Sequence, residues 1–512
     1  MSKTNPTGGM PRQIPFIIGN EGCERFSYYG MRNILKVFLA SSLFLYMPNA
    51  DRNTAAVEVF HTFVAGVYFF PLLGGWISDR LFGKFRTVLW FSIIYCIGQG
   101  CLSLYAYNQT GFYVGLFLVA LGSGGIKPLV ASFVGDQFDA SNKHLAKLVF
   151  DAFYWIINFG SFFASLLMPW FLDDYGPRFA FAIPGVLMVI ATVVFYAGKN
   201  RYVNVPPPEA DPHSFLRVVR TALLAKGGSP LGLVLACVGI AGALGSPLLI
   251  SAIDLVPALG LGLVLLIGLV GGGAALQLDR AQGKHPVEAV EGVRAVLRIL
   301  IVFAFVTPFW SLFDQKASTW IIQAEAMAKP SWFRPAQMQL LNPALVMVLI
   351  PFNNLVLFPW MRRRGWEPTT LRRMTTGIAL AGAAYIVVGA MQLAMDRGYE
   401  LSITWQIAPY ALLTLGEVLV SATGLEFAYS QAPLAMKGVI MSFWSLCVTV
   451  GNLWVLLAQE TVQRPDVIEQ IKRTGISPTA FQMFFFAAFA GGAALAFGLY
   501  ARRYQMTDNY RS

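Results

Sequence analysis

Apolar stretches long enough to cross a lipid bilayer alternate with short polar segments along the whole chain. A membrane-spanning helix needs about 20 mostly apolar residues, so this pattern predicts about fourteen spanning helices. The predicted spans are 14–45, 56–78, 86–108, 111–134, 146–172, 179–199, 229–250, 253–278, 296–323, 337–361, 374–395, 403–431, 438–459 and 479–502. The pattern therefore indicates an all-α integral membrane protein.

A polar linker divides the predicted helices into groups. It contains VPPPEADPH, a proline-rich stretch, followed by SFLRVVRTALLAK, an amphipathic segment that suits a membrane surface. The helix count on either side predicts two six-helix bundles plus an inserted pair, an arrangement found in secondary transporters built from repeated halves. The predicted parts are an N-terminal bundle (1–200), a cytoplasmic linker (201–228), an inserted transmembrane hairpin (229–280) and a C-terminal bundle (281–512).

Basic residues concentrate in alternate loops, which predicts the orientation of the chain. The loops on one side contain Arg80, Lys84, Arg86, Lys143, Lys147, Lys199, Arg201, Arg280, Lys284, Arg362, Arg363 and Arg364. The opposite loops are poor in basic residues and contain Asp173, Asp174 and Asp396. Since cytoplasmic loops carry the excess of Lys and Arg, both termini are predicted to be cytoplasmic.

Composition agrees with a membrane protein and argues against nucleic-acid binding. Charged residues make up 13% of the chain, against about 25% in soluble domains. The net charge of +11 comes from basic residues spread over short loops, which fits membrane topology better than a nucleic-acid surface. The five cysteines lie within apolar runs without metal-ligand spacing, and we interpret them as packing residues.

The first predicted span contradicts the apolar pattern, because NEGCERFSYYGMR (20–32) lies inside it. Glu21, Arg25, Arg32 and Lys36 recur at helical spacing and form a polar stripe along one side. Such a stripe cannot face lipid, so it must line a cavity or pair with other charges. An interfacial amphipathic helix, or charges locked in structural pairs, is the alternative interpretation.

The depth of other intramembrane charges suggests partners for this stripe. At ~1.5 Å per residue, Lys127 lies about as deep as Glu21 and Glu24. Asp314 reaches the level of Arg32 by the same estimate. We therefore predict a Lys127 pair with one of the glutamates and an Arg32 pair with Asp314. Sequence does not show which helices are neighbours, so depth alone leaves these pairs open.

Three further ionisable residues lie within predicted spans. Glu417 falls near the middle of its span, and Glu426 falls nearer the cytoplasmic side. His61 lies near the outer end of the second span, where it either packs as a hydrogen-bonded residue or takes up protons. A histidine suits the second role because its ordinary pKa is about 6.5.

Several motifs resemble those of one family of transporters. NEGCERFSYYG resembles the ExxERFxYYG signature of proton-coupled oligopeptide transporters in the major facilitator superfamily, and GGWISDRLFGKFRT resembles that superfamily's loop motif. LGSGGIKPLVASFVGDQF and FDAFYWIINFGSF resemble the second signature, and LGEVLVSATGLEFAYSQAP resembles a second-half motif. The inserted pair and the absence of a large loop at 396–402 are similar to bacterial members. Phe313 stands where some bacterial members carry a second carboxylate beside Asp314.

The resemblance implies a proton-coupled symporter that imports di- and tripeptides across the bacterial inner membrane by alternating access. It implies peptide contacts by Arg25, Tyr29, Arg32, Tyr68, Lys127, Tyr154, Asn158, Trp310, Asn342, Glu417, Ser421 and Trp444. The implied proton-coupling groups are Glu21, Glu24, His61, Lys127, Asp314 and Glu417. The implied gating salt bridges join Arg32 to Asp314 and Lys127 to acidic residues nearer the inside, with Glu426 among the gating residues.

Other classes of function remain open at this point. A relative that carries amino acids or peptide-like drugs would share the same charges, and a channel or a polytopic membrane enzyme is a more distant alternative. The sequence contains no HExxH, Walker loop or metal cluster that would favour an enzyme. The prediction is a monomeric transporter in a lipid bilayer, with peptides and protons as partners and without a cofactor, a metal or nucleic acid.

Overall fold

The computed structural model describes residues 9–138, 145–207, 211–225, 227, 229–251, 253–365, 367–431, 437–504 and 506. Over these residues the backbone forms helices, turns and loops, with isolated bridges between Gln282 and His285 and between Ala328 and Ser402. This architecture confirms the predicted all-α class.

The part of the chain before the linker is almost entirely helical. Its helices are α1 (Ile14–Phe38), α2 (Asn49–Phe69), α3 (Pro71–Ile77), α4 (Gly83–Leu104), α5 (Gln109–Gly124), α6 (Lys127–Gly135), α7 (Ala146–Tyr175) and α8 (Pro177–Ala197). Single π-helical turns extend α1 over Leu39–Leu43 and join α3 to α4 over Ser78–Phe82.

The remaining helices begin in the linker. They are α9 (Phe215–Leu224), α10 (Leu231–Gly245), α11 (Leu255–Gln277), α12 (Val287–Phe313), α13 (Thr319–Glu325), α14 (Leu341–Phe352), α15 (Phe358–Arg363), α16 (Thr370–Asp396), α17 (Ile407–Gln431), α18 (Lys437–Val462), α19 (Pro465–Arg473) and α20 (Pro478–Ala501). A 3₁₀ turn over Asp314–Ala317 separates α12 from α13.

Local sequence sets several of these helix ends. Asn108 precedes α5 and its side-chain oxygen accepts a hydrogen bond from the Gly111 amide at 2.8 Å, which is a typical N-cap. Gly176 ends α7 at φ 83°, a left-handed conformation that glycine adopts without a steric penalty. Pro177 then begins α8, where a missing amide hydrogen costs nothing.

Twelve segments of the described chain are long and apolar enough to cross a membrane. The segment Asp51–Leu104 has 54 residues, more than twice the length of one crossing, and contains both α2 and α4. α1 is not among the twelve because of its charges, although its 25 residues are long enough to span. When α1 is included and the long segment is read as two crossings, the count matches the prediction.

Aromatic packing joins α1 to α5 and α8. The Phe38 ring centroid lies 4.9 Å from that of Phe112 and 5.0 Å from that of Phe181. Phe112 and Phe181 also contact each other at 5.3 Å, and all three side chains are fully buried. Because lipid chains are as apolar as these rings, the cluster stabilises the bundle through close packing more than through removal from water.

Hydrogen bonds tie the linker to the segment before α12. The Nδ1 atoms of His213 and His285 lie 2.9 Å apart, and the other ring nitrogen of His285 lies 2.8 Å from the Thr221 hydroxyl. Desolvation, followed by the neighbouring His213, lowers the pKa of His285. The amphipathic helix α9, predicted from SFLRVVRTALLAK, is thus anchored through Thr221.

Helices α10 and α11 form the predicted inserted hairpin and approach each other closely through glycines. A Cβ atom on Gly273 would lie 2.2 Å from the Gly232 carbonyl oxygen, so only glycine permits this spacing. The backbone amide of Asp254, between the two helices, donates a hydrogen bond to Glu460 of α18 at 2.8 Å. The hairpin is therefore attached to α18 at its turn.

The chain divides into two compact units that do not follow chain order. The first comprises Met1–Pro208, Phe313–Glu367 and Ala383–Val418, and the second comprises Glu209–Leu312, Pro368–Gly382 and Leu419–Ser512. The first unit thus combines the residues before the linker with parts of the second half. The division into bundles at 200, 228 and 280 stays a prediction.

The GSGG stretch at 122–125 lies at the end of α5 against α4. A Cβ atom on Gly122 would lie 2.7 Å from the Tyr95 backbone nitrogen and 2.8 Å from the Phe91 carbonyl oxygen. Backbone atoms cannot move aside as a flexible side chain can. This contact supports the interpretation that these glycines allow close helix packing.

We expect Gly122→Ala to lower the free energy of unfolding by about 1–3 kcal/mol, because the added methyl group overpacks the interface of α4 and α5. Thermal unfolding of the purified protein in detergent would measure the change. Gly100→Ala is the matched control, since nothing lies within 4 Å of a Cβ at Gly100 on α4. Equal melting temperatures for the two variants would contradict the packing role of Gly122.

Candidate functional site

The charged motif of α1 forms a compact buried ion cluster. The Arg25 Nε atom lies 2.5 Å from Glu21 Oε1 and 3.1 Å from Glu24 Oε2. Both carboxylates are fully buried and the Arg25 side chain is 10% exposed. Helical spacing explains the first contact, because residues four apart lie on one face. One arginine therefore contacts two acids.

A second buried ion pair joins α1 to the turn after α12. The Arg32 Nη2 atom lies 2.6 Å from Asp314 Oδ1, and both side chains are less than 10% exposed. The Arg32 guanidinium also stacks over the Phe60 ring of α2, at 5.2 Å from the centroid. Arg32 and Asp314, which were predicted to pair because they lie at similar depths in the membrane, therefore do contact each other.

Lys127, the first residue of α6, contacts two aromatic rings. Its Nζ atom lies 3.3 Å from the Tyr28 ring centroid and 4.8 Å from the Tyr68 ring centroid. Two ring faces attract an ammonium group without supplying a counter-charge. Arg25, on the same helix as the two acids, makes ion pairs with both of them, and Lys127 interacts with these acids electrostatically. A direct ion pair of Lys127 with a glutamate stays a prediction.

His61 is fully buried and faces the segment before α13. Its Nε2 atom lies 2.8 Å from the hydroxyl oxygen of Ser318. The His61 ring also contacts the neighbouring Phe60 ring edge-on, with centroids 5.1 Å apart. The same segment after α12 thus meets α1 through Asp314 and α2 through Ser318.

A chain of polar side chains leads from Glu417 to a buried lysine. The Asn342 amide nitrogen donates to Glu417 Oε2 at 2.5 Å and to the Thr414 hydroxyl at 3.1 Å. The Lys316 ammonium in turn donates to the Asn342 side-chain oxygen at 3.0 Å. One amide therefore stands between a carboxylate on α17 and an ammonium on the turn after α12.

Lys316 was not among the residues selected from the sequence. Its Nζ atom also lies 3.1 Å from the Phe313 ring centroid, and the side chain is buried. The sequence nevertheless indicates its importance, because a lysine inside a predicted membrane span is a functional candidate by default.

Three other predicted peptide contacts lie on α1 and α7. Tyr29 packs edge-on against Tyr28, with ring centroids 5.2 Å apart. Tyr154 on α7 is 47% exposed. The Asn158 amide donates to the Tyr154 carbonyl oxygen at 3.0 Å, one turn back on the same helix. Asn158 therefore retains its side-chain oxygen as an acceptor.

Four predicted residues belong to the second unit. The rings of Trp310 and Trp444 meet edge-on with centroids 6.3 Å apart. A Cβ atom on Gly424 would lie 2.1 Å from the Trp444 ring, so a glycine at this position leaves the space that the indole ring occupies. Ser421 lies on the same helix as Gly424, α17. The side chain of Glu426 lies outside the described residues, and its predicted gating contact stays a prediction.

A resident metal is not supported by the donor set. In the described part of the chain, no group of three or more His, Cys, Asp or Glu residues is placed to hold a metal ion. The five cysteines, which include the buried Cys447, are unpaired thiols. The site therefore consists of ion pairs, amides and aromatic rings.

The fold and these paired intramembrane charges define a polytopic membrane protein of the major facilitator class. The family model described as the POT family matches residues 85–474, which is more than half of the chain. The chain belongs to this family.

Two similar solved structures are a crystal structure of an auto-inhibited POT family peptide transporter and an in meso crystal structure of the POT family transporter PepTSo. Each is 62% identical to this chain, with a TM-score of 0.96 over 98% of it. The matches cover 99% and 100% of those chains, respectively. The fold prediction is thereby confirmed.

Among curated relatives, the human solute carrier family 15 member 2 is 33% identical over 415 residues. The match covers 77% of this chain and 51% of the human protein. The chain thus spans about half the length of this curated relative.

We expect Arg25→Met to lower the free energy of unfolding by about 3–5 kcal/mol, because two buried carboxylates would lose their counter-charge. Glu21→Gln combined with Glu24→Gln should recover much of that loss in the same background, since no buried charge would then be unpaired. Thermal unfolding provides the measurement.

Arg473→Met is the control for this series. Arg473 pairs with Glu469, but the two side chains are 75% and 69% exposed. An exposed pair contributes about 0–1 kcal/mol, so this variant should unfold almost like the parent protein. A triple variant no more stable than Arg25→Met alone would show that the cluster is not held by charge balance.

Proposed function

We propose that the protein is a proton-coupled symporter that imports di- and tripeptides by alternating access. The observation that carries the proposal is the pair of opposite charge centres in the first unit. Arg25 and Lys127 lie on helices of the first half, and Glu417 lies on α17 in the second half. A short peptide has a positive and a negative end and is complementary to such a pair.

The charge centres suggest how a peptide is oriented. Arg25 offers a planar set of donors suited to a carboxylate, and Lys127 adds a second positive charge. Glu417 accepts the amino terminus. The peptide backbone, common to all sequences, finds donors and acceptors in Tyr29, Tyr68, Tyr154, Asn158, Asn342 and Ser421. Trp310 and Trp444 supply apolar surface that tolerates different side chains.

Proton coupling follows from acids whose partners can change. Glu21 and Glu24 share Arg25, so a peptide carboxylate that attracts Arg25 leaves an acid without its counter-charge. An unpaired acid in a dry site favours the protonated form. The acids to which we assign this role are Glu21, Glu24, Asp314 and Glu417. We also assign His61 to proton coupling, and Lys127 is the cation that competes for the acids.

The pair between Arg32 and Asp314 is proposed as a gate. It joins the two halves of the chain at 2.6 Å, so separating the halves at this level requires breaking it. The gate at the opposite side, for which the sequence suggests Lys127 and acidic residues nearer the inside, stays part of the proposal. Alternation between the two gates would expose the charge centres to one side of the membrane at a time.

The setting that goes with this function is a bacterial inner membrane with both chain termini in the cytoplasm. The transporter would act as a monomer, with protons as the coupling ion and no cofactor. The solved structures at 62% identity are called a peptide transporter and a POT family transporter, and the human relative is called a solute carrier. These names support transport over an enzymatic function. Amino acids or peptide-like drugs are the alternative substrates.

Purified protein in liposomes should accumulate a labelled dipeptide when the outside is acidic and the inside is negative. The reason is that each inward proton then moves down its electrochemical gradient together with the peptide. A protonophore should abolish accumulation without preventing exchange of labelled for unlabelled peptide. Equal accumulation with and without the protonophore would exclude proton coupling, and a labelled amino acid carried in preference to dipeptides would favour the alternative substrate.

Glu417→Gln should weaken dipeptide binding by about 2–5 kcal/mol, because removing one partner leaves a charge unpaired in a buried site. An analogue with a blocked, neutral amino end should bind weakly to the parent protein and lose little more on mutation. The two changes should be non-additive, since each removes one half of the same pair.

Competition binding with both ligands on both proteins would test this pairing. Glu400→Gln is the control, because Glu400 is an exposed acid in the loop before α17. If Glu417→Gln weakened the blocked analogue as much as the free peptide, Glu417 would not be the site for the amino terminus.

A further inference from the structure

Lys36 forms a third ion pair between α1 and the second half of the chain. Its Nζ atom lies 3.1 Å and 3.3 Å from the two carboxylate oxygens of Glu325, the last residue of α13. The Lys36 side chain is 0% exposed, whereas that of Glu325 is 39% exposed. The pair thus has one end sealed inside the protein and one end open to its surroundings.

The position of this pair relates it to the pair of Arg32 with Asp314. Lys36 is four residues after Arg32, so the two cations lie on one face of α1, one turn apart. Their partners, Asp314 and Glu325, begin and end the short segment formed by the 3₁₀ turn and α13. Two parallel ion pairs therefore hold this segment against the last two turns of α1.

Neighbouring contacts show that the segment is fixed at several points. The Gln339 amide donates to the Asn33 carbonyl oxygen at 3.2 Å, between the levels of Arg32 and Lys36. The Lys329 ammonium donates to the Glu325 carbonyl oxygen at 2.7 Å, which keeps a second cation beside the end of α13. Lys329 is half-buried, and its ammonium also donates to the Met327 carbonyl oxygen at 3.3 Å, so it is held by backbone oxygens near the end of α13.

We propose that Lys36 and Glu325 form a latch that holds the two halves closed at the Phe38 end of α1. This inference rests on the proposed function, whose orientation puts that end on the outside of the cell. When the halves separate, Glu325 remains in contact with water, whereas Lys36 loses the anionic partner that it has among the described residues. Opening therefore breaks an ion pair whose cation lies in a dry site, and the closed state is favoured as long as that contact outweighs the hydration that Lys36 gains on opening.

The difference in exposure gives the two residues different roles. Water can reach Glu325 while the latch is closed. Hydration of its carboxylate therefore weakens the ion pair before Lys36 is exposed. Lys36 is fully buried, so a change there disturbs its packed surroundings, whereas Glu325 is 39% exposed. The acid is therefore the more replaceable partner.

Distance measurements between two exposed sites would test the latch without substrate. Spin labels would be placed on Leu45, beyond α1, and Trp332, beyond α13, after replacing the five native cysteines by alanine. Both positions are more than half exposed. The variants to compare are Lys36→Met, Glu325→Gln and the charge exchange Lys36→Glu with Glu325→Lys. Glu469→Gln, which removes an acid from an exposed pair on α19, is the control.

Each single variant should raise the ratio of long to short distances on the order of 5- to 150-fold, the range typical of such coupling. The charge exchange should return the ratio toward that of the parent, and Glu469→Gln should leave it unchanged. Glu325→Gln alters a half-exposed residue without changing its shape, so it tests the latch even if Lys36→Met fails to fold. An unchanged ratio in Glu325→Gln would overturn the proposal.

Liposome uptake of the same variants separates the latch from the proposed function. If the parent protein accumulates dipeptide and the distance ratio does not respond, the latch is wrong and the transport function stands. If the ratio responds but the parent protein carries no peptide, the closing contact is real and the proposed function fails. A lower melting temperature in every variant, with an unchanged ratio, would assign the pair a purely structural role.

Discussion

The requirement that buried charges be paired organises the first unit. α1 carries three cations in an apolar setting, and the acids that pair with them come from different parts of the chain. Arg25 is balanced within its own helix by Glu21 and Glu24, whereas Arg32 and Lys36 find Asp314 and Glu325 beyond α12. Because two of the three cations take their partners from the second half of the chain, pairing helps to hold that segment against α1. This explains why the first unit includes Phe313–Glu367.

Stability by itself does not account for these pairs. Replacing a buried ion pair by apolar residues of similar size is often neutral or stabilising, because desolvation offsets the attraction. The Phe38 cluster shows that α1 can pack with apolar rings alone. Pairs between the halves differ from apolar packing in one respect, since each charge can exchange its partner for water or for a charged substrate. Ion pairs therefore suit a contact that must break and form again in every cycle.

The helices could be predicted from sequence because the bilayer sets their length, and depth correctly matched Arg32 with Asp314. Lys127 shows the limit of that reasoning. Many residues share one depth, and which of them meet depends on how helices are arranged around the bundle, which no local pattern encodes. Arg25 pairs with the glutamates at no cost in loop closure, and Lys127 lies over aromatic rings while it interacts with the same acids electrostatically. Lys316 lies inside the predicted span 296–323, so the rule that a charge in a span needs a partner applies to it, whereas Glu325 lies just beyond that span and carries no such signal.

The chain of Glu417, Asn342 and Lys316 has a consequence for substrate binding. An amide can accept from an ammonium and donate to a carboxylate, so Asn342 holds the two charges apart without neutralising either. Direct contact between Lys316 and Glu417 would occupy the acid and oppose binding of another cation. With the amide between them, Lys316 still lowers the cost of burying the charge of Glu417. In the proposed function, a peptide amino group would then meet Glu417 without first displacing a direct salt bridge to Lys316, and the charge of Lys316 would limit how tightly the amino group is held.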